Sequence, residues 1–142
     1  MKLIKNLIFA ALFLVSLKGS GQDVPDPMSP PRLVNDYAGI LSENQFRRLE
    51  QKLVEFDDSS SSQIVVIIVK TLNGLTKEEY TDRVGEKWGV GQKGKNNGIV
   101  VLVKPKYGND GGQARISVAY GLEGAITDAT AKRIVENEMI PY

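Results

Sequence analysis

From Ser42 onward, apolar residues recur at helical spacing in three stretches and gather into strand-like segments in three others. The first stretch opens at Ser42-Glu43-Asn44-Gln45, which fits a capping box: Ser42 can accept from the amide of Gln45, and Gln45 can reach back. Phe46, Leu49, Leu53 and Phe56 then form one stripe between charged positions, and the spacing predicts a surface helix ending in the polar loop Asp57–Ser62. The serine run there reads as a solvated linker rather than a phosphorylation tract. Ile64-Val65-Val66-Ile67-Ile68-Val69 is wholly β-branched without alternation, which predicts a strand covered on both faces. A second capping box, Thr76-Lys77-Glu78-Glu79, opens a helix with Tyr80, Val84 and Trp88 on one face, ended by Gly89, Gly91 and Gly94. Ile99–Val103 is a second buried strand, so strand, helix and strand predict a right-handed crossover and a parallel pair. The turn-rich Pro105–Gly112 leads into Arg115–Tyr120, an alternating strand expected to return antiparallel. Thr127 or Asp128 caps a last helix with Ala131, Ile134, Val135 and Met139 on one side. The expected fold is α/β: helices packed on a small mixed sheet, with no internal repeat.

The 142 residues leave room for one domain, and 42% hydrophobic with 25% charged residues is ordinary for a globular chain. The absence of His and Cys changes the picture more. It excludes disulfides, thiolate or imidazole metal sites, Cys or His nucleophiles and a Ser-His-Asp triad. Chemistry is left to carboxylates, amides, hydroxyls, Lys, Arg, Tyr, or a metal held by oxygen. Residues 1–21 combine Lys2 and Lys5, an apolar run from Leu7 to Leu17, and the small Gly19-Ser20-Gly21, the pattern of a secretory signal peptide. The run is short of the ~20 apolar residues of a spanning helix, and no later segment reads as one. No Cys is present for a lipid anchor. The expected location is therefore exported, periplasmic or secreted. The leader holds three lysines and no acid, so its removal turns the formal charge from +1 to −2. With no basic block, nucleic acid is not an expected partner. Residues 22–32, rich in proline, are expected to be an extended linker, and the folded domain to occupy 33–142.

Ligands of open α/β sheets collect beyond the carboxyl ends of parallel strands, here Val69 and Val103. Three polar clusters lie elsewhere: Asn35-Asp36, Lys95-Asn96-Asn97-Gly98, and Gly121-Leu122-Glu123-Gly124 leading to Thr127-Asp128. An antiparallel last strand would bring Asn96, Asn97, Glu123 and Asp128 to one edge. Carboxylate and amide oxygens are hard ligands suited to Ca²⁺ or Mg²⁺, although no EF-hand spacing is present. Each residue also has an ordinary role. Asp128 can cap a helix, Asn97-Gly98 can form a turn, Glu123 can be a loop charge, and Asp36 can cap a loop. Lys93 and Lys95 read as surface charge, and the Tyr120 ring as a packing element.

Four blocks in order resemble the TPM domain family, which includes thylakoid acid phosphatase-like, photosystem II repair-type and many exported bacterial proteins. They are Val34–Leu41 (VNDYAGIL), Trp88–Gly91 (WGVG), Lys95–Val103 (KNNGIVVLV) and Val118–Asp128 (VAYGLEGAITD). The resemblance implies a three-layer α/β/α sandwich with a small mixed sheet, an exported or membrane-tethered setting, and a divalent-ion site on acidic loops. On matched positions it implies Asp36, Asn96, Asn97, Glu123 and Asp128 as metal ligands. Family members often carry Asp at the position of Asn96, so one negative ligand is missing here. Relatives also continue past the Met-x-Pro-aromatic motif, often into a membrane helix and a Gly-rich tail, so the abrupt end at Pro141-Tyr142 suggests a truncated domain. Two roles are expected: a Ca²⁺- or Mg²⁺-binding interaction or assembly module with a membrane-protein partner in the cell envelope, or a metal-dependent acid phosphatase acting on phosphomonoesters.

Overall fold

The computed structural model describes residues 23–91 and 96–139. The leader expected over residues 1–21, Lys93, Lys95 and the Pro141-Tyr142 end lie outside them. Four strands form one open sheet in the order β1 (Val34–Asp36), β2 (Gln63–Ile68), β3 (Gly98–Lys104) and β4 (Gln113–Val118). The first three are parallel, and β4 runs antiparallel to β3 with Ile99 opposite Val118. Helix α1 (Glu43–Ser60) connects β1 to β2, α2 (Lys77–Trp88) connects β2 to β3, and α3 (Asp128–Ile134) follows β4. Both expected capping boxes are formed, at Ser42 and at Thr76.

Residues of β2 alternate between two cores, as the two-residue period of a strand requires. Val66 and Ile68 join Val34 and Leu53 under α1, whereas Ile67 and Val69 join Tyr80, Val84, Val100 and Leu102 under α2. Each fully covered aliphatic side chain contributes about 1.5–3 kcal/mol, so the unbroken apolar runs are the main source of stability. Burial also pushes the Tyr80 phenol up to about 12. The sheet is thus sandwiched, with α1 and α2 on opposite faces. Both crossovers step the same way across the sheet, so opposite faces give them opposite hands. One of them departs from the right-handed rule that the sequence reading applied.

Four local expectations are corrected. Helix α1 runs through Asp57–Ser60 instead of fraying there. The hydroxyls of Ser59 and Ser60 donate to the Phe56 carbonyl, and the turn closes at Ser61 in the left-handed region, φ 57°. Tyr120 does not pack: it opens a 3₁₀ turn (Tyr120–Leu122) and is 82% exposed. Ala131 of α3 and Val135 just beyond it are buried but Ile134 is 37% exposed, because the helix rests on the edge strand β4 and covers a narrow stripe before widening into a π-type turn at Val135–Met139. Finally, Asp23–Pro31 has no regular structure, yet it is no free tether: Val24 is 3% exposed and belongs to the α2-side core.

Candidate functional site

The antiparallel β3–β4 pairing brings the chain before β3 against the chain after β4. The amide of Ala119 donates to the Gly98 carbonyl at 3.0 Å, and that of Gly121 to the Asn96 carbonyl at 2.9 Å. Asn96 takes φ 48°, a left-handed conformation that asparagine tolerates better than most residues. The 3₁₀ turn delivers Glu123. The loop then closes on Leu122, whose carbonyl accepts from Ala125 and Ile126, and Thr127 caps α3 by accepting from Thr130 at 3.2 Å. Asp128 is therefore the first residue of α3, one turn of chain beyond Glu123.

These elements and the outer side of α2 enclose a cleft of about 600 Å³. Asn96, Glu123 and Asp128 line it, together with Asp82, Glu86, Arg115, Ser117 and Tyr120. Glu123 and Asp128 are exposed, and among the described residues their carboxylates form no hydrogen bond or ion pair. Arg115 reaches across from β4 to α2, where Nε donates to the Thr81 hydroxyl at 3.2 Å and the guanidinium lies 3.6 Å from Glu78. The Thr81 hydroxyl in turn donates back along its helix, towards the carbonyls of Lys77 and Glu78. Among the described residues, no three carboxylates stand close enough to form a ready metal cage. The donors that are present suit a hard cation held openly, with water completing its shell.

The other two expected ligands lie elsewhere. Asn97 is buried, and its side-chain amide donates to the Ser61 carbonyl, which ties the start of β3 to the end of α1. Asp36 stands level with Ile68 and, through it, with Val103, five residues along β3 from Gly98. That separation is about 17 Å at ~3.3 Å per residue. Its carboxylate accepts from the amides of Gly39 and Leu41, both at 2.8 Å, the loop-capping role open to it. Asp36 therefore does not share the cleft, because parallel pairing puts the end of β1 at the opposite rim from the start of β3.

Sequence reasoning missed Asp82, Glu86 and Arg115. The alternation in β4 does set Arg115 and Ser117 apart from Ile116 and Val118, which is a usable signal. Asp82 and Glu86 share a helix face by their four-residue spacing, but the contact of that face with β4 is tertiary and leaves no local pattern.

The model of the TPM domain matches residues 34–142 of this chain. No curated protein matches it. Among solved structures, the chain is similar to the N-terminal domain of a protein from P. gingivalis, determined in solution by NMR. The TM-score is 0.68 and the identity 30%, covering 78% of this chain and 68% of that one. With more than half its length matched, and with its strands and helices arranged in a mixed α/β sandwich, this chain belongs to the TPM domain family.

Proposed function

We propose that this protein is an exported TPM domain that binds Ca²⁺ or Mg²⁺ at the cleft between α2 and β4 and works as a noncatalytic interaction or assembly module of the cell envelope, with a membrane protein as partner. The observation that carries the reading is the meeting of Asn96, Glu123 and Asp128 on one cleft beside Asp82 and Glu86. Four carboxylates against one guanidinium favour a cation there. Export rests on the leader pattern of residues 1–21. Thr81 spends its hydroxyl on its own helix, and among the described residues neither the Ser117 hydroxyl nor the exposed phenol of Tyr120 has a base paired with it, so no activated nucleophile stands among the cleft's described residues. Among the described residues no helix is long and apolar enough to cross a membrane.

Titration of the leaderless chain with Ca²⁺ and Mg²⁺, followed by amide shifts, tests this. Shifts should concentrate at Asp82–Glu86, Asn96 and Tyr120–Asp128, spare Asp36–Leu41, and accompany a Ca²⁺-dependent rise in Tm. A spectrum unmoved at millimolar ion would dispose of the proposal.

Arg115 favours a second reading, metal-dependent hydrolysis of phosphomonoesters. Glu123 and Asp128 would hold the ion, and Arg115 would hold phosphoryl oxygens in the same cleft. A divalent ion bound there supplies Lewis acidity and a more acidic water. Turnover that vanishes with EDTA and in Asp128→Asn would support it; no turnover on any phosphomonoester would leave the first reading standing.

A further inference from the structure

The segment Asp23–Asp26, which has no regular structure, is held to the folded domain at every residue. Four successive main-chain carbonyls each accept from a different side chain of the folded domain. Asn73 Nδ2 donates to the Asp23 carbonyl at 3.1 Å, and Lys87 Nζ to that of Val24 at 2.8 Å. The Trp88 indole donates to the Pro25 carbonyl at 2.8 Å, and the Tyr37 hydroxyl to that of Asp26 at 2.6 Å. Lys87 also pairs with the carboxylates of Asp23, at 3.3 Å, and Asp26, at 3.1 Å. Val24, 3% exposed, is socketed into the α2-side core, the buried cluster that also holds Ile67, Leu72, Leu75, Tyr80 and Val84. The Tyr37 and Trp88 rings, with centroids 6.5 Å apart, stand side by side along the path.

Side chains reading consecutive carbonyls, an aromatic pair beside a proline, and a cation between two acids are the devices by which grooves take extended, proline-containing peptides. Nothing in this arrangement needs the ligand to be covalently continuous with β1. Met28–Pro31, the link between the two, carries three of the chain's prolines with Pro27 and forms no regular structure.

We propose that the Tyr37–Lys87–Trp88 groove is a peptide-docking site filled in cis by Asp23–Asp26, and that it accepts in trans an extended partner segment of the same chemistry: an acid, a small branched aliphatic residue, proline, and a second acid. The socket admits valine-sized residues, Lys87 selects the acids on either side, and Trp88 and Tyr37 read the main chain. The site is separate from the cleft between α2 and β4 and stands whether or not that cleft binds a cation.

The full chain with Val24→Ala loosens the internal ligand, and a capped peptide of residues 23–28 (Asp-Val-Pro-Asp-Pro-Met) serves as the probe. Trp88 is the sole tryptophan, so its emission reports the groove alone. Saturable binding is expected in the variant. The unmodified chain should respond at least tenfold more weakly, because a tethered ligand competes at about millimolar effective concentration. Replacing the second acid of the peptide by Lys should cost at least tenfold. A folded variant that ignores millimolar peptide, or responds equally to a scrambled one, overturns the proposal. Dimerisation by exchange of the segment between copies would overturn the partner assigned and make a second copy the occupant. Should Val24→Ala not fold, hydrogen exchange of the Trp88 indole in the unmodified chain decides. Release of the segment predicts protection at least tenfold below that of the β2 and β3 amides, and equal protection defeats the idea.

Discussion

Asp36 already spends both carboxylate oxygens on main-chain amides of its own loop. Asp36→Ala should therefore destabilise the domain by about 2–3 kcal/mol, the cost of two charge-assisted hydrogen bonds, measured by urea unfolding, and leave the amide response to Ca²⁺ unchanged. Asn96 tests the opposite role. Asn96→Asp adds a carboxylate to the cleft and should raise cation affinity several-fold by titration, an effect that shrinks with added salt. Charge also governs the docked segment. The Val24 amide, followed by Lys87, holds the Asp23 carboxyl below its ordinary value of 3.8, and Asp26, with Asp23, holds the Lys87 ammonium above its ordinary 10.5. A lowered acid contributes above its unfolded value and loses that contribution as pH falls through the folded one. A raised base contributes below its unfolded value and loses it as pH rises through the folded one. Docking should hold between about pH 4 and 10.5 and loosen on both sides, shallowly because the groups are exposed. Trp88 emission against pH would show a plateau with two shoulders; a flat profile from pH 2 to 12 would contradict it.

The elements differ in how openly the sequence announces them. Both capping boxes and both central strands are written locally, in Ser42/Gln45, Thr76/Glu79 and two β-branched runs, and they form as the pattern predicts. The end of α1 is not. Four serines signal a loop, but Ser59 and Ser60 satisfy the helix's own carbonyl, and Asn97 docks on Ser61 from a strand 36 residues away. Ser61→Gly should stabilise the domain by about 0.5–1 kcal/mol, since the left-handed cap costs glycine nothing and the Asn97 bond uses only backbone. The start of β3 should be less forgiving. A β-carbon on Gly98 would run into the Val90 carbonyl, main chain that cannot swing aside. Gly98→Ala should cost about 1–3 kcal/mol in thermal or denaturant melts. Of the candidate site, Asn96, Glu123 and Asp128 were legible because a hairpin fixes which strand ends meet. Asp82 and Glu86 were not, because packing of α2 across β4 is set by side-chain volumes in the core, and the alternation that marks Arg115 does not say which helix it meets.

At the scale of the whole molecule, two crossovers of opposite hand leave one helix on each face and put β4 at the open edge. The folded domain thereby offers two separate surfaces: the groove that holds Asp23–Asp26, and the cleft beside β4. The cleft lies at the amino ends of the parallel strands, the reverse of the rim where such sheets usually receive ligands. At the usual rim, helix beginnings point their amide protons at an anion. Here the α2 residues Gly85 and Glu86, close to the helix's carbonyl-rich and negative end, line the cleft from one side, while Asp128 brings the amide-rich start of α3 to it from the other. With the two helix ends opposed, the sign of the field at the opening rests on the side chains, Asp82, Glu86, Glu123 and Asp128 against Arg115, which is why a cation is the ligand proposed there.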